Sequence, residues 1–196
     1  MSVQLGKGGK VSLSKEDPSL RNVIVGLGWD TKRYDGGYDF DLDTACFMCG
    51  ANGKCIKETD FIFYNNLCSS DGSVQHTGDD RTGGSSEFGD DEQIIINLDK
   101  VPDNIEKLAF TATIFKADIR NQNFGQVDNA YIRVVNADTD KEILRYELGE
   151  DFSVETALVV GEIYRYKNEW KFNAVGSGFK GGLKAICANF GIDAED

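Results

Sequence analysis

The stretch ALVVGEIYRYKNEWKFNAV, residues 157–175, predicts two strands joined by a tight turn. ALVVGEIYRY and EWKFNAV are rich in the β-branched and aromatic residues that strands favour. Between them, YKNE has the polar composition of a turn. This part of the chain therefore favours an antiparallel sheet.

The same rhythm continues towards the N-terminus, with a turn signal such as NADTDK (136–141) about every ten residues. The nearly continuous apolar run NVIVGLGW is typical of a buried strand. Regularly spaced short strands of this kind are typical of a sandwich or a barrel. Besides the opening pair, the predicted strands include residues 22–29, 38–49, 92–101, 108–115, 130–136 and 142–148.

The last segment, GGLKAICANFG (181–191), breaks this pattern. Leu183, Ile186, Cys187 and Phe190 recur with helical spacing, and Gly191 is a typical helix stop. The chain is therefore predicted to be all-β, an antiparallel β-sandwich with a short C-terminal helix, forming a single domain over residues 1–196.

The composition restricts the possible functions. The 196 residues carry a formal charge of −12, and the sequence pI is about 4.5. Such a field repels phosphate backbones and anionic membrane surfaces, and it attracts cations. No apolar run reaches the length of a membrane span, and the N-terminus lacks a signal-peptide core. We therefore expect a cytoplasmic protein with five reduced cysteines, no nucleic-acid partner and no direct membrane insertion.

Two acidic segments suggest a metal site. In DFDLD (39–43), the acidic residues Asp39, Asp41 and Asp43 share one face of a predicted strand, and Phe40 and Leu42 share the other. The segment HTGDDRTGGSSEFGDDE (76–92) is a glycine-rich loop crowded with carboxylates. Ordering such a loop is entropically costly, and its charges repel one another unless a cation intervenes. Calcium accepts six to eight hard oxygens at flexible distances, so these segments favour calcium over magnesium.

Other motifs are weaker. Cys46-x-x-Cys49 could begin a zinc site with Cys55 and Cys68, but it lies in a strand-like run rather than a tight turn. Gly176-x-Gly178-x-x-Gly181 is too close to the C-terminus for a dinucleotide-binding unit and is interpreted as a strand-to-helix turn. His76, the single histidine, has no nucleophile motif beside it. The sequence therefore predicts neither structural zinc nor catalysis.

Several segments together resemble the TerD-type tellurium-resistance and stress-protein family. They are YDFDLDTACF, FYNNLCSSDGSVQHTGDD, the GDDE that closes the acidic loop, and ALVVGEIYRYKNEWKFNAVGSGFKGGL. The resemblance covers almost the whole chain. It implies a cytoplasmic, non-enzymatic stress protein with a β-sandwich fold that binds calcium, typically two ions, and recruits other stress-response proteins.

The resemblance also implies a ligand set drawn from the strand and the loop. The acidic loop departs from the family pattern, since Asp80 stands for Asn, Gly84 stands for Glu, and the middle is longer. Glu87 offers a replacement for the lost carboxylate. The candidate metal ligands are Asp39, Asp41, Asp43, Asn66, Asp79, Asp80, Gly83, Glu87, Asp90, Asp91 and Glu92.

Two classes of function remain open from the sequence. One is the calcium-binding module that recruits partners. The other is a calcium-dependent enzyme, or a protein that handles tellurium oxyanions directly through thiols such as Cys46 and Cys49.

Overall fold

The computed structural model describes residues 2–31, 40–78, 89–148, 152 and 154–194. Two six-stranded sheets pack face to face. With elements numbered in chain order, the first sheet contains, from edge to edge, β1 (Val3–Leu5), β10 (Lys141–Glu147), β9 (Val127–Asn136), β3 (Asn22–Thr31), β7 (Glu92–Asn97) and β6 (Val74–His76). The second sheet contains β2 (Lys10–Ser12), β12 (Glu169–Phe179), β11 (Ala157–Tyr166), β8 (Lys107–Ile114), β4 (Leu42–Cys49) and β5 (Phe61–Ile62).

Three short helices complete the described structure. They are α1 (Leu13–Glu16), α2 (Ala117–Arg120) and α3 (Gly182–Asn189), and two 3-10 turns lie at Glu58–Asp60 and Phe124–Gln126. No helix in the described ranges is long and apolar enough to cross a membrane. The sequence did not predict α1 and α2, because a single helical turn leaves no periodic pattern of apolar residues.

Strand pairing is antiparallel between all the neighbouring strands described except β1 and β10, which run parallel. The opening stretch of the sequence behaves as predicted, because β11 and β12 pair through the Tyr166–Glu169 hairpin. The predicted antiparallel β-sandwich with a short C-terminal helix is therefore confirmed.

Alternation along each strand fills the space between the sheets. In β3, the side chains of Val23, Val25 and Leu27 point into this core, so the intervening Gly26 lies on the outer face of the first sheet. In β4, Leu42, Cys46 and Met48 point into the same core from the opposite side. Asp43, Ala45, Phe47 and Cys49 of β4 therefore lie on the outer face of the second sheet.

The outer face of the second sheet is itself buried beneath α3. Ile186, Cys187 and Phe190 of this helix pack on Phe47 and its neighbours. The turn that delivers α3 needs a positive φ of 102° at Gly181, which glycine adopts without strain. Gly176 and Gly178 lie within β12, so only the last glycine of the motif forms the predicted strand-to-helix turn.

Candidate metal centre

The acidic strand and the acidic loop meet at one end of the sandwich. Glu92, the first residue of β7, is 2% exposed and points between the sheets. Its Oε2 accepts a hydrogen bond from the main-chain N–H of Thr44 in β4, with an N···O distance of 2.6 Å. A carboxylate from the first sheet thereby fixes the beginning of β4 in the second sheet.

The two ends of the acidic loop are held together at the same place. The main-chain N–H and the hydroxyl of Thr77 both donate to the carbonyl of Gln93, each at 3.0 Å. The N–H of Gly78 donates to His76 Nδ1 at 3.0 Å. The loop therefore leaves and re-enters the fold beside the carboxylates of β7. Four loop candidates, Asp79, Asp80, Gly83 and Glu87, lie outside the described residues, as does Asp39.

Asp91 connects this end of β7 to the end of β3. Its Oδ2 accepts a hydrogen bond from the N–H of Trp29 at 2.8 Å, and its own N–H donates to the carbonyl of Leu27 at 2.9 Å. Residues 32–39, which follow β3, also carry acidic side chains. We call the region formed by Asp91, Glu92 and the described ends of the segments 32–39 and 79–88 the acidic corner.

Asp90 points away from the acidic corner, onto the outer face of the first sheet. Its two oxygens accept hydrogen bonds from Nε and Nη2 of Arg133, at 2.7 and 2.8 Å. Gln93 donates a further bond to Oδ2 at 2.9 Å. The carboxylate lies directly over Gly26, where an added Cβ would stand 2.2 Å from Oδ2. The absence of a side chain at Gly26 therefore provides the space in which Asp90 is buried.

Tyr131 and Arg145 extend this arrangement along the outer face. The hydroxyl of Tyr131 donates to Asp90 Oδ1 at 3.1 Å and also contacts the carbonyl of Gly89. Burial, and then the nearby Asp90 charge, raises the pKa of Tyr131 to about 12. The Arg145 guanidinium lies 3.7 Å from the centre of the Tyr131 ring. We call Gly26, Asp90, Tyr131, Arg133 and Arg145 the Asp90 network.

The other described candidates occupy different surroundings. Asp41 lies 3.9 Å from Arg120 of α2, measured from Oδ2 to Nη1. Asp43, opposite Thr113 in β8, lines a cavity of about 310 Å³ on the outer side of the second sheet. Asn66 donates its side-chain amide to the carbonyl of Phe61 at 2.7 Å. Asp43 and Asp90 thus point to opposite outer faces of the sandwich, so they would not share one ion.

The chemistry of these side chains suits calcium, because all of them offer hard oxygen atoms. Within the described ranges, however, no three acidic, histidine or cysteine side chains stand close enough together to form a metal site. Asp91 and Glu92 lie at the end of the sandwich where the undescribed acidic segments begin and end. The predicted ligand set therefore stays a prediction.

His76 is buried and hydrogen-bonded to the main chain. It is 2% exposed, and its Nε2 lies 3.2 Å from the carbonyl of Thr44 and 3.6 Å from Glu92 Oε2. Since Nδ1 accepts the Gly78 N–H, the ring proton is assigned to Nε2, which donates to Thr44. The imidazole thus joins β6 to β4.

The Cys46-x-x-Cys49 motif lies within β4, as predicted. Residues three apart on a strand point to opposite faces. Cys46 accordingly lies in the core between the sheets, and Cys49 lies beneath α3. The two thiols of the motif therefore do not face each other.

Comparison with known proteins identifies the family. The TerD domain matches residues 1–190. The chain is 57% identical over 194 residues to the tellurium resistance protein TerD of Serratia marcescens, covering 99% of this chain and 100% of that protein. It is 54% identical over 192 residues to general stress protein 16U of Bacillus subtilis, covering 98% of each.

A solved structure supports the fold. The crystal structure of a Streptomyces coelicolor homologue of the telluride resistance protein TerD superposes with a TM-score of 0.67 at 23% identity, covering 90% of this chain and 100% of that one. Together with the sequence matches, this shows that the chain belongs to the TerD family of tellurium-resistance and stress-response proteins.

Proposed function

We propose that this protein is a non-enzymatic, cytoplasmic calcium-binding module of a stress response, with calcium held at the acidic corner. The observation that carries the proposal is the Glu92–Thr44 hydrogen bond of 2.6 Å. This bond joins β4 to the C-terminal end of the acidic loop, and the bonds from Thr77 to the carbonyl of Gln93 hold the two ends of the loop together. Carboxylates that are far apart in the sequence can therefore reach a common ion.

The proposed ligands are the carboxylates of Asp91 and Glu92 at the corner, together with oxygens from the two neighbouring segments and from Asp41, which follows the first of them. The candidates in those segments are Asp39, Asp79, Asp80, Gly83 and Glu87. Calcium would neutralise part of the negative charge concentrated there, in a chain whose formal charge is −12. The glycine-rich composition of the acidic loop suits the irregular six- to eight-fold coordination of calcium better than the strict octahedron of magnesium.

Asp90 has a different role in this proposal. Both of its oxygens already accept bonds from Arg133, and its side chain is 0% exposed. We assign it to holding the start of β7 in place rather than to binding the ion. Asp43 and Asn66 remain predicted ligands that this arrangement does not require.

The stress role is supported by the names of the relatives. The Serratia marcescens relative is named a tellurium resistance protein, and a Bacillus subtilis relative is named a general stress protein. We infer that the corner, once loaded with calcium, presents an ordered surface that recruits other stress-response proteins.

Calorimetric titration with calcium, with magnesium as the competitor, tests the proposal. We expect calcium to bind more tightly and to raise the unfolding temperature of chelator-treated protein. A ligand at a hundred times its dissociation constant adds about 2.7 kcal/mol to the free energy of unfolding. No heat of binding, together with an unchanged melting temperature, would contradict the proposal.

A matched pair of variants locates the site. Asp91→Asn keeps an oxygen that can accept the Trp29 N–H but loses a charge at the acidic corner, so we expect weaker calcium binding. Asp138→Asn removes a charge from the turn after β9, where Asp138 accepts a bond from Asn22 at 3.0 Å. This control should bind calcium as the wild type does. Equal affinities for both variants would place the ion elsewhere.

A further inference from the structure

Two of the five cysteines, Cys49 and Cys55, stand opposite each other across a tight turn. Cys49 ends β4, and the chain reverses so that Cys55 forms an antiparallel bridge with it. The turn is closed by the N–H of Gly50, which donates to the carbonyl of Lys54 at 2.9 Å, and by a φ of 74° at Gly53. This register fixes Cys49 against Cys55.

The pair is of the kind whose two residues do not hydrogen-bond to each other through the main chain. The carbonyl of Cys49 accepts from the N–H of Glu106, and the N–H of Cys55 donates to the carbonyl of Phe190, each at 2.9 Å. In such antiparallel pairs the Cα atoms lie about 4.5 Å apart and the side chains are closest. A disulfide needs a Cα separation of about 4.4–6.8 Å, so the backbone already has suitable geometry.

The two thiols are neighbours. The adjacent Cys49 side chain, together with burial, raises the pKa of Cys55 well above its usual range. The Cys55 thiol lies 3.9 Å from the carbonyl of Asp60, and that of Cys49 lies 3.5 Å from the carbonyl of Phe47. Both cysteines are free in this structure.

The two sulfurs differ in access. Cys49 is 0% exposed, whereas Cys55 is partly exposed at the turn. An oxidant from solution therefore meets Cys55 first, and Cys49 lies directly behind it. The raised pKa keeps Cys55 mostly protonated, so we expect its oxidation to be slow at neutral pH. Once formed, a sulfenic acid condenses with a neighbouring thiol to give a disulfide.

We propose that Cys49 and Cys55 form a reversible disulfide when the protein meets a hydroperoxide. The Cys55 sulfur, after giving up its proton to water, attacks one peroxide oxygen, breaks the O–O bond and becomes a sulfenic acid as an alcohol or water leaves. The Cys49 sulfur then attacks the sulfenic sulfur, forms the S–S bond and expels water. In total, two thiols lose two electrons and two protons, and the hydroperoxide is reduced to an alcohol (or water) and water. A soluble dithiol reverses the change.

Formation of the disulfide would also affect α3. The turn between the two cysteines holds the end of this helix, because Cys55 donates its N–H to Phe190 and the Lys54 ammonium contacts the carbonyl of Asn189. The disulfide would fix this turn and thereby the docking of α3 on the second sheet. This site lies on β4 and the turn that follows it, and it does not depend on calcium binding.

Peptide mapping of the folded, full-length protein tests the inference. The protein is treated with hydrogen peroxide, unfolded with an alkylating agent present, digested and analysed by mass spectrometry. We expect one crosslinked peptide pair, two hydrogen atoms lighter than its parts, that joins Cys49 to Cys55 and disappears with dithiothreitol.

Two variants provide the controls. Cys68→Ser removes an exposed thiol, and the Cys49–Cys55 crosslink should form in this variant as in the wild type. In Cys55→Ser, Cys49 should be recovered as a free thiol, because burial shields it from the oxidant. A crosslink from Cys49 to Cys46 or Cys187 would overturn the inference. Under conditions that oxidise Cys68, the inference would also fail if Cys55 stayed reduced or were oxidised without forming a crosslink.

Discussion

The two outer faces of the sandwich are organised by different interactions. On the first sheet, the Asp90 network fills the surface with charged and polar groups, and Asp90 itself is 1% exposed. On the second sheet, Phe47 stacks between Phe61 and Phe190, with both ring-centre distances at 4.4 Å, beneath α3. One face is organised by directional bonds around a single carboxylate, and the other by contact between apolar surfaces.

This difference indicates which substitutions should destabilise each face. A buried ion pair contributes little net stability compared with an apolar replacement, but removal of one partner leaves a charge without compensation. An aromatic cluster loses stability in proportion to the volume removed, and its surroundings can relax partly into the space. Single substitutions on the two faces should therefore differ in how much stability they cost and in how their effects combine.

Replacing Arg133 by Ala should have the largest effect. The substitution leaves the carboxylate of Asp90, whose side chain is 0% exposed, without its bidentate cation. Loss of one partner of a buried pair costs about 3–5 kcal/mol of the free energy of unfolding. Urea denaturation in the presence of a chelator measures the loss without a contribution from bound metal.

An exposed ion pair supplies the matched control. Arg21 and Asp99 lie 2.6 Å apart with side chains 65% and 57% exposed, so Arg21→Ala should cost at most about 1 kcal/mol. The double variant Arg133→Met with Asp90→Leu should recover much of the loss, because no buried charge remains. If Arg133→Ala were no worse than Arg21→Ala, the Asp90 network would not stabilise the first sheet.

Replacing Phe190 by Ala tests the aromatic face and should rank second. Phe190 is 4% exposed and connects the end of α3 to Phe47. Loss of a buried phenylalanine costs about 3–5 kcal/mol, and we expect the lower end because α3 can shift towards the space. Ile119→Ala on α2, where the side chain is 78% exposed, should change stability by no more than about 0.5 kcal/mol. Equal effects would show that α3 is not part of the cooperative fold.

Replacing Gly26 by Ala should have a smaller effect that depends on Asp90. The new Cβ would stand 2.2 Å from a carboxylate oxygen that Arg133 holds in place, and such overpacking costs about 1–3 kcal/mol. The cost should fall sharply in an Asp90→Ala background, as measured by a double-mutant cycle in urea. Gly6, with nothing within 4 Å of an added Cβ, is the control position. Additive losses would mean that Gly26 does not accommodate Asp90.

The strands were predictable because alternation and turn residues are local signals. The hairpin of β11 and β12 and the helix α3 follow the apolar spacing of the sequence. The run FIFYNN (61–66) forms less strand than its aromatic composition favours, because only Phe61–Ile62 pairs in the sheet and the chain then turns at Tyr64. The parallel position of β1 beside β10 was not predictable, since nothing near residue 3 indicates its distant partner.

The candidate site was less accessible to sequence reasoning. Asp90, Asp91 and Glu92 look equivalent in a run of acidic residues, yet they point to the outer face, to the end of β3 and between the sheets. The sequence identifies the acidic residues, but it does not identify the cation that pairs with Asp90. Arg133 lies 43 residues beyond Asp90, and a lone arginine in a strand gives no local signal of the bond that it makes.

The smallest expected effect is a pH dependence of the folding stability, which arises from Tyr131 at the edge of the Asp90 network. Burial and the Asp90 charge raise the pKa of Tyr131 to about 12, whereas an unfolded tyrosine has a pKa of about 10. A group whose pKa is higher in the folded state contributes stability that is fully present below the unfolded pKa. That contribution is lost as the pH rises through the folded pKa. The wild type should therefore lose stability between about pH 10 and pH 12 through Tyr131.

Tyr131→Phe removes this titration and keeps an aromatic ring for the Arg145 guanidinium, which lies 3.7 Å from the ring centre. At pH 8 the variant should be slightly less stable, because Asp90 loses the hydroxyl bond of 3.1 Å. As the pH rises, the stability of the wild type should fall more steeply, so that the two denaturation midpoints converge. Burial also raises the pKa of Tyr164, but that residue is present in both proteins and cancels in the comparison. Parallel curves from pH 8 to the alkaline limit would mean that the Tyr131 hydroxyl is not held against the Asp90 charge in solution. The Asp90 network would then end at Arg133.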